Sequence, residues 1–144
     1  MDPRKIFFAT PQEAESAFYD ALERADLEAM MTVWAEDEEI ICVHPGGQRL
    51  SGYAAVRESW RQIFANGAHL RVRISHQVYL QGLLLSVHSL HENISVIGSG
   101  AAQPPIAATN VYLRGAQGWR MLAHHASVSS ALAEQIGDAP KILH

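Results

Sequence analysis

The chain has 144 residues, a formal net charge of -4 and 11 Lys and Arg spread along its length, so it is long enough for one domain around one core and lacks the basic stripe of a nucleic-acid binder. Cys42 is the sole cysteine, which excludes an intrachain disulfide or a thiolate metal cluster and fits a reducing compartment. No apolar run approaches the ~20 residues of a membrane span and no leader pattern opens the chain, so a cytoplasmic protein with no membrane association is expected.

Thr10-Pro11-Gln12-Glu13 is a helix start: Thr10 suits the N-cap, Pro11 the first turn, and Glu13 completes a capping box. Ala14, Ala17, Phe18, Ala21, Leu22 and Ala25 then recur at helical spacing, with Glu15, Asp20, Glu23 and Arg24 elsewhere on the wheel. Asp26 caps a second helix from Leu27 to about Ala35, with Met30, Val33 and Trp34 as its apolar stripe. The acidic run Glu36 to Glu39 opposes a helix C-terminus and marks a solvated turn. Ile40 to His44 reads as a strand with Ile40, Cys42 and His44 on one face, stopped by Pro45-Gly46-Gly47.

A third helix spans about Tyr53 to Ala65, with Val56, Trp60, Ile63 and Phe64 buried and Asn66-Gly67 suited to a left-handed cap. From Leu70 the period becomes two, and strict alternation puts Leu70, Val72, Ile74, His76, Val78 and Leu80 on one face. Gly82 turns the chain into a long strand from Leu83 to about Ile97. Ile106 to Arg114 and Trp119 to Ser127 form a hairpin through Gly115-Ala116-Gln117-Gly118. Alternation places Ile106, Ala108, Asn110 and Tyr112 on one face of the first, and sets Arg120, Leu122, His124 and Ala126 of the second opposite Trp119, Met121, Ala123 and His125. Ser129 to Ile136 suits a short terminal helix. The organisation expected is an arm over residues 1–9, a single domain over 10–130, and a tail or short helix over 131–144.

Four phrases stand in order along this pattern: Asp-Leu-Glu-Ala-Met-Met-Thr-Val-Trp-Ala-Glu-Asp from Asp26, Val-His-Pro-Gly-Gly from Val43, Gly-Tyr-Ala-Ala-Val-Arg-Glu-Ser-Trp from Gly52, and Gly-Trp-Arg-Met-Leu-Ala-His-His-Ala-Ser from Gly118. Together they resemble the SnoaL-like group of the nuclear transport factor 2-like superfamily over roughly residues 11–130. The resemblance implies an α+β, cone-like fold, in which a strongly curved mixed or antiparallel sheet wraps around the N-terminal helices as a cystatin-like α+β barrel. It also implies a pocket on the concave face and dimerisation through the sheet. Members include ketosteroid isomerase, polyketide cyclases, dehydratases and association modules without catalysis, so the fold does not choose the reaction.

Ketosteroid isomerase works with an Asp base and an oxyanion hole of a Tyr and a protonated Asp. Aligned on the phrases above, the base position falls on His44, the tyrosine position on Phe18, and the buried acid near Ile106. Without that oxyanion hole, steroid isomerisation by the familiar mechanism is not expected.

The candidate catalytic residues are His44 and His124, since imidazole titrates nearest neutral pH and His44 occupies the superfamily's acid/base position. A structural alternative for His44 is to bond a carbonyl and hold the turn after it. His124 faces inward by comparison with the superfamily, and a one-residue bulge would exchange it with His125. Asn110 either orients a ligand carbonyl or ties one of the histidines. Trp60 is core or ligand platform, Phe18 a lining residue, and Glu92 a second acid/base group if inward and a solvated carboxylate if not. No metal site is expected, because His88 and His91, like His124 and His125, point to opposite faces, and no cofactor fingerprint is present. Cys42 reads as a buried structural thiol. The function expected is a dimeric pocket protein for a small, mostly apolar organic molecule, with isomerase, dehydratase or cyclase chemistry, or else a non-catalytic association or ligand-binding domain. Apolar Val111, Trp119 and Met121 on the sheet's outer face would drive the dimer.

Overall fold

In the first helix, α1 (Pro11–Arg24), Thr10 Oγ1 accepts the Glu13 N–H at 3.1 Å and a Glu13 carboxylate oxygen accepts the Ala9 N–H at 2.8 Å. The reciprocal bond of the capping box thus lands one residue before the cap, tying the incoming chain to the helix. These coordinates are a computed structural model that describes residues 6–67, 69–99 and 103–129. Ala25 ends α1 in the left-handed region, at φ 51°, and Asp26 at once caps α2 (Leu27–Val33) by accepting the Ala29 N–H at 3.0 Å. Helix α2 stops two residues short of the expected Ala35. Trp34 is extended, fully buried and bridged to Met121, and the Ala35 N–H bonds the Met121 carbonyl, so tertiary pairing outbids the last helical turn. The acidic run that follows is a loop.

Six strands form one open mixed sheet in the order β2-β1-β6-β5-β4-β3: β1 (Ile41–Val43), β2 (Arg49–Ser51), β3 (Leu70–Gln81), β4 (Leu85–Val96), β5 (Ile106–Gly115) and β6 (Gly118–Val128). All neighbours are antiparallel except β1 and β6. Helix α3 (Tyr53–Ala65) lies between β2 and β3 in sequence, and Gly67 beyond its Asn66 cap takes φ +72°. This is the α+β cone expected. Strand β2 went unforeseen because three residues are too few to show a period.

Two bulges correct the expected faces. In β3, Ser75 pairs with His91 but Val78 with Ser89, leaving one extra residue, and His76 takes φ 56°. Beyond it the alternation inverts: Tyr79 turns toward α1, while Val78 and Leu80 are 55% and 66% exposed. In β6, Ala123 pairs with Val111 and Met121 with Tyr112, so Leu122 is the extra residue. Trp119 and Met121 therefore lie in the core rather than on the outer face, and His124 remains inward with His125 exposed.

The core is filled by Ala14, Phe18, Ala21 and Leu22 of α1, Met30 and Val33 of α2, Val56 and Trp60 of α3, and Leu90, Ala108, Tyr112 and Met121 of the sheet. Phe8 of the N-terminal arm pairs with Gly118, where a Cβ would sit 2.6 Å from the Phe8 carbonyl oxygen. Only glycine permits that approach. The Ser129 N–H bonds Pro105; the rest of the helix and tail expected after it lies outside the described residues. No helix among the described residues is long and apolar enough to cross a membrane.

Candidate functional site

On the concave face the register sets up cross-strand rows. Cys42, His124, Asn110 and His88 are successive partners across β1, β6, β5 and β4, and Glu92, Ile106 and Val128 form a row two steps along. Partners in a row share a face, so β pairing brings residues distant in sequence side by side. His44 lies two residues beyond Cys42, immediately after β1. Its turn is closed by the Gly47 N–H on the His44 carbonyl at 2.8 Å, with Gly46 at φ +75°.

His44, Glu92 and His124 line a cavity of about 310 Å³ with Leu22, Pro45, Trp60, Ile63, Leu70, Ile94 and Ile106. The polar groups there are ordered. A ring nitrogen of His44, Nε2, lies 3.0 Å from Ser59 Oγ, whose own hydroxyl donates to the Val56 carbonyl at 2.7 Å. Ser59 must therefore accept, so Nε2 carries the proton and Nδ1 the lone pair. The indole of Trp60 packs edge-on to the His44 ring at 4.7 Å between centroids. Tyr19 donates to a Glu92 carboxyl oxygen at 2.6 Å and accepts from Asn110 Nδ2 at 2.9 Å, while Asn110 Oδ1 lies 2.6 Å from His124 Nδ1.

Burial governs the proton affinities. It pushes the Glu92 carboxyl up to about 7, partly opposed by the Tyr19 hydrogen bond. It holds His124 down at about 3, helped by the nearby His44 and His125, and lowers His44 as well. At neutral pH His124 is unprotonated, burial favours the neutral form of His44 too, and the Glu92 carboxyl is held far above the usual carboxylate range. The Cys42 thiol is pushed up to about 12 by burial and then by Glu92, and is an inert part of the wall.

A second polar cluster lies one helical turn away. Glu15 accepts from Tyr79 at 2.7 Å and pairs with His88 Nδ1 at 3.1 Å, while His88 Nε2 lies 2.9 Å from Ser86 Oγ. Ser86 and His88 are fully buried, so the acid–imidazole–hydroxyl order here presents no exposed hydroxyl.

All six residues picked from the sequence are in or against the cavity region. His44, His124, Trp60 and Glu92 line it; Asn110 is buried behind His124, which it ties; Phe18 is fully buried, its ring 5.0 Å from that of His124 and 5.6 Å from that of Trp60. Glu92 is 3% exposed, so its solvated alternative is set aside. Tyr19, Ser59 and Glu15 were missed. Glu15 was placed on the polar side of α1 and is 4% exposed. The signal was there: Glu15 precedes Leu22 by seven residues and so shares its stripe, and Tyr19 follows Glu15 by four. Among the described residues no group of three or more His, Cys, Asp or Glu is placed to hold a metal ion.

The model of the SnoaL-like domain family matches residues 12–131. A crystal structure from Thiobacillus denitrificans, provisionally assigned as a calcium/calmodulin-dependent protein kinase type II association domain, is 39% identical with a TM-score of 0.82, covering 87% of this chain and 99% of that one. A dehydratase by provisional assignment, of the NTF2-like family from Streptomyces avermitilis, is 30% identical with a TM-score of 0.77, covering 84% and 94%. A curated relative, the F-box protein SKIP8 of Arabidopsis thaliana, is 24% identical over 135 residues, which are 86% of this chain. The chain spans about half, 53%, of that relative's length. From the four phrases, the cone and the family match alike, the chain belongs to the SnoaL-like domain family.

Proposed function

We propose that the cavity binds a small, mostly apolar organic molecule carrying a carbonyl or hydroxyl group, and that Glu92, His44 and His124 move protons on it in an isomerase-, dehydratase- or cyclase-type step. The observation that carries this reading is the sharing of one apolar cavity by a carboxyl poised near 7 and two imidazoles kept neutral. A neutral imidazole takes a proton from carbon next to a carbonyl, while the protonated fraction of Glu92 delivers one to a departing hydroxyl or to a second carbon. The histidine gains what the carbon loses and releases it to solvent, and solvent returns a proton to Glu92, so both groups end as they began. The Streptomyces relative's assignment as a dehydratase is in keeping with such a step.

The test is a panel of apolar β-hydroxy ketones and enones in heavy water, followed by NMR for deuterium uptake and water loss and by melting temperature for binding. Binding by some members, with turnover reduced at least tenfold in Glu92→Gln or His44→Asn, is expected. A panel that neither shifts the melting temperature nor exchanges counts against the reading.

A second reading, association through the sheet, draws on the 39% identity to the Thiobacillus protein. With Trp119 and Met121 in the core, the outer face offers the row Val87, Val111 and Ala123 beside the rows Ser89, Thr109, His125 and His91, Ala107, Ser127. This is a mixed surface of small side chains suited to a second sheet. A homodimer by light scattering at micromolar concentration, dissociated by Val111→Glu, is expected; a wild-type monomer sinks it.

A further inference from the structure

We propose that Glu92 sets the tautomer of His124 from two residues away, with Tyr19 and Asn110 as the positioning residues that pass the constraint along. No hydrogen bond joins Glu92 to His124 directly. The link is forced by the count of donors and acceptors. A carboxyl oxygen of Glu92 takes the single Tyr19 hydroxyl proton at 2.6 Å. The Tyr19 oxygen can then only accept from Asn110, so the amide must present its Nδ2 at 2.9 Å and turn Oδ1 the other way. Facing an acceptor at 2.6 Å, His124 Nδ1 must donate, and the lone pair is left on Nε2.

Every member of the chain is buried, Tyr19 at 7%, Glu92 at 3%, Asn110 at 0% and His124 at 3% exposed, so the bonds between them are made with protein partners at low local dielectric. It also survives protonation of Glu92, since the carbonyl oxygen of the acid accepts from Tyr19 as the carboxylate does. His124 thus offers the same nitrogen whether Glu92 holds or has released its proton. The catalytic use of that nitrogen rests on the proposed function; the tautomer does not, and it can be read without any ligand.

The experiment is nitrogen-15 NMR of the His124 ring in wild type, Glu92→Gln, Glu92→Leu and Tyr19→Phe, near pH 7 and without ligand. Wild type should show a protonated, pyrrole-type Nδ1 and a pyridine-type Nε2. Glu92→Gln keeps a carbonyl acceptor for Tyr19 and should leave the pattern unchanged. Glu92→Leu frees the Tyr19 hydroxyl to donate to Asn110, which flips the amide and moves the proton to Nε2, a full exchange of the two signals. Tyr19→Phe should give a mixture or the exchanged form. An Nε2-protonated wild type, or an unchanged pattern in both Glu92→Leu and Tyr19→Phe, overturns the proposal. If Glu92→Leu does not fold, Tyr19→Phe, which keeps the ring against Phe18, decides alone. Failure of every ligand to bind would remove the acid/base function and leave these signals untouched.

Discussion

Two polar clusters sit on the same concave face under the same helix, and they differ in what lies beside them. Glu15, Ser86 and His88 are buried and, with Tyr79 at the rim, are bonded to one another. His44, Glu92 and His124 border a cavity of about 310 Å³. In the closed cluster each polar atom's worth is the cost of leaving its partner bare. In the open one the same groups keep an unused lone pair or proton, which is what chemistry on a guest requires. Burial alone therefore does not mark a site; burial next to empty space does.

The closed cluster should be the more fragile. His88→Ala leaves the Glu15 carboxyl and Ser86 short of a partner in a dry interior, and should lower unfolding stability by about 3–4 kcal/mol in urea titrations. His124→Ala, at the edge of the cavity, should cost about half as much. Equal losses would erase the distinction between the clusters.

The open cluster should carry the pH dependence. Glu92 has a raised proton affinity in the folded state, so the native protein binds more protons than the unfolded chain between the unfolded value of 4.5 and about 7, and stability falls as pH rises through that window. The fall amounts to roughly 3 kcal/mol for a shift of this size. His124 acts oppositely: its lowered affinity makes stability fall as pH drops from 6.5 toward about 3. Glu92→Gln should remove the alkaline-side loss and keep the acid-side one, checked by denaturant midpoints at pH 4, 6 and 8. A variant whose pH profile overlays that of wild type would show that Glu92 is solvated.

A smaller effect separates the supports of His44. Gly46→Val forces a β-branched residue to φ +75° and should cost about 1–2 kcal/mol. Gly47→Ala places a Cβ 3.2 Å from the His44 carbonyl oxygen without positive φ, and should disturb ligand affinity more than melting temperature. Smallest of all, His44→Asn should raise the apparent pKa of His124 by a fraction of a unit, since burial outweighs His44 among the causes of its depression. Imidazole NMR titration checks it, and an unshifted His124 would mean that the two rings, 6.4 Å apart between centroids, do not sense one another.

Much of the fold was legible because caps and periods are local. Thr10, Asp26 and the stripe of α1 are readable without knowing what packs on them. Facing was legible only as far as alternation ran unbroken, which is why Asn110 and Tyr112 came out correctly and Trp119, Met121, Val78 and Leu80 did not. Neither bulge leaves a mark of composition: His76 is not glycine, and Leu122 is an ordinary strand residue. His124 was placed inward from the superfamily comparison, and the bulge at Leu122 is what reconciles that with a buried Met121. The site was half legible for a related reason. His44 and Glu92 are conspicuous as residue types, whereas Tyr19, Glu15 and Ser59 look like ordinary helix surface until the sheet curls over them.

The extra residue at His76 is what brings Tyr79, rather than Val78 and Leu80, to the side of α1: the same residues counted from Ile74 without a bulge would turn Val78 and Leu80 inward. Loss of one codon at 76 or 77 would leave a single residue between Ser75 and Val78, opposite Leu90, so the bulge would vanish while Tyr79 kept its place opposite His88 and its reach to Glu15. Facing in this hairpin therefore tolerates a one-residue loss that would invert a regular strand. Relatives shorter by one residue here should accordingly keep the carboxylate and its tyrosine donor together, in a straighter hairpin.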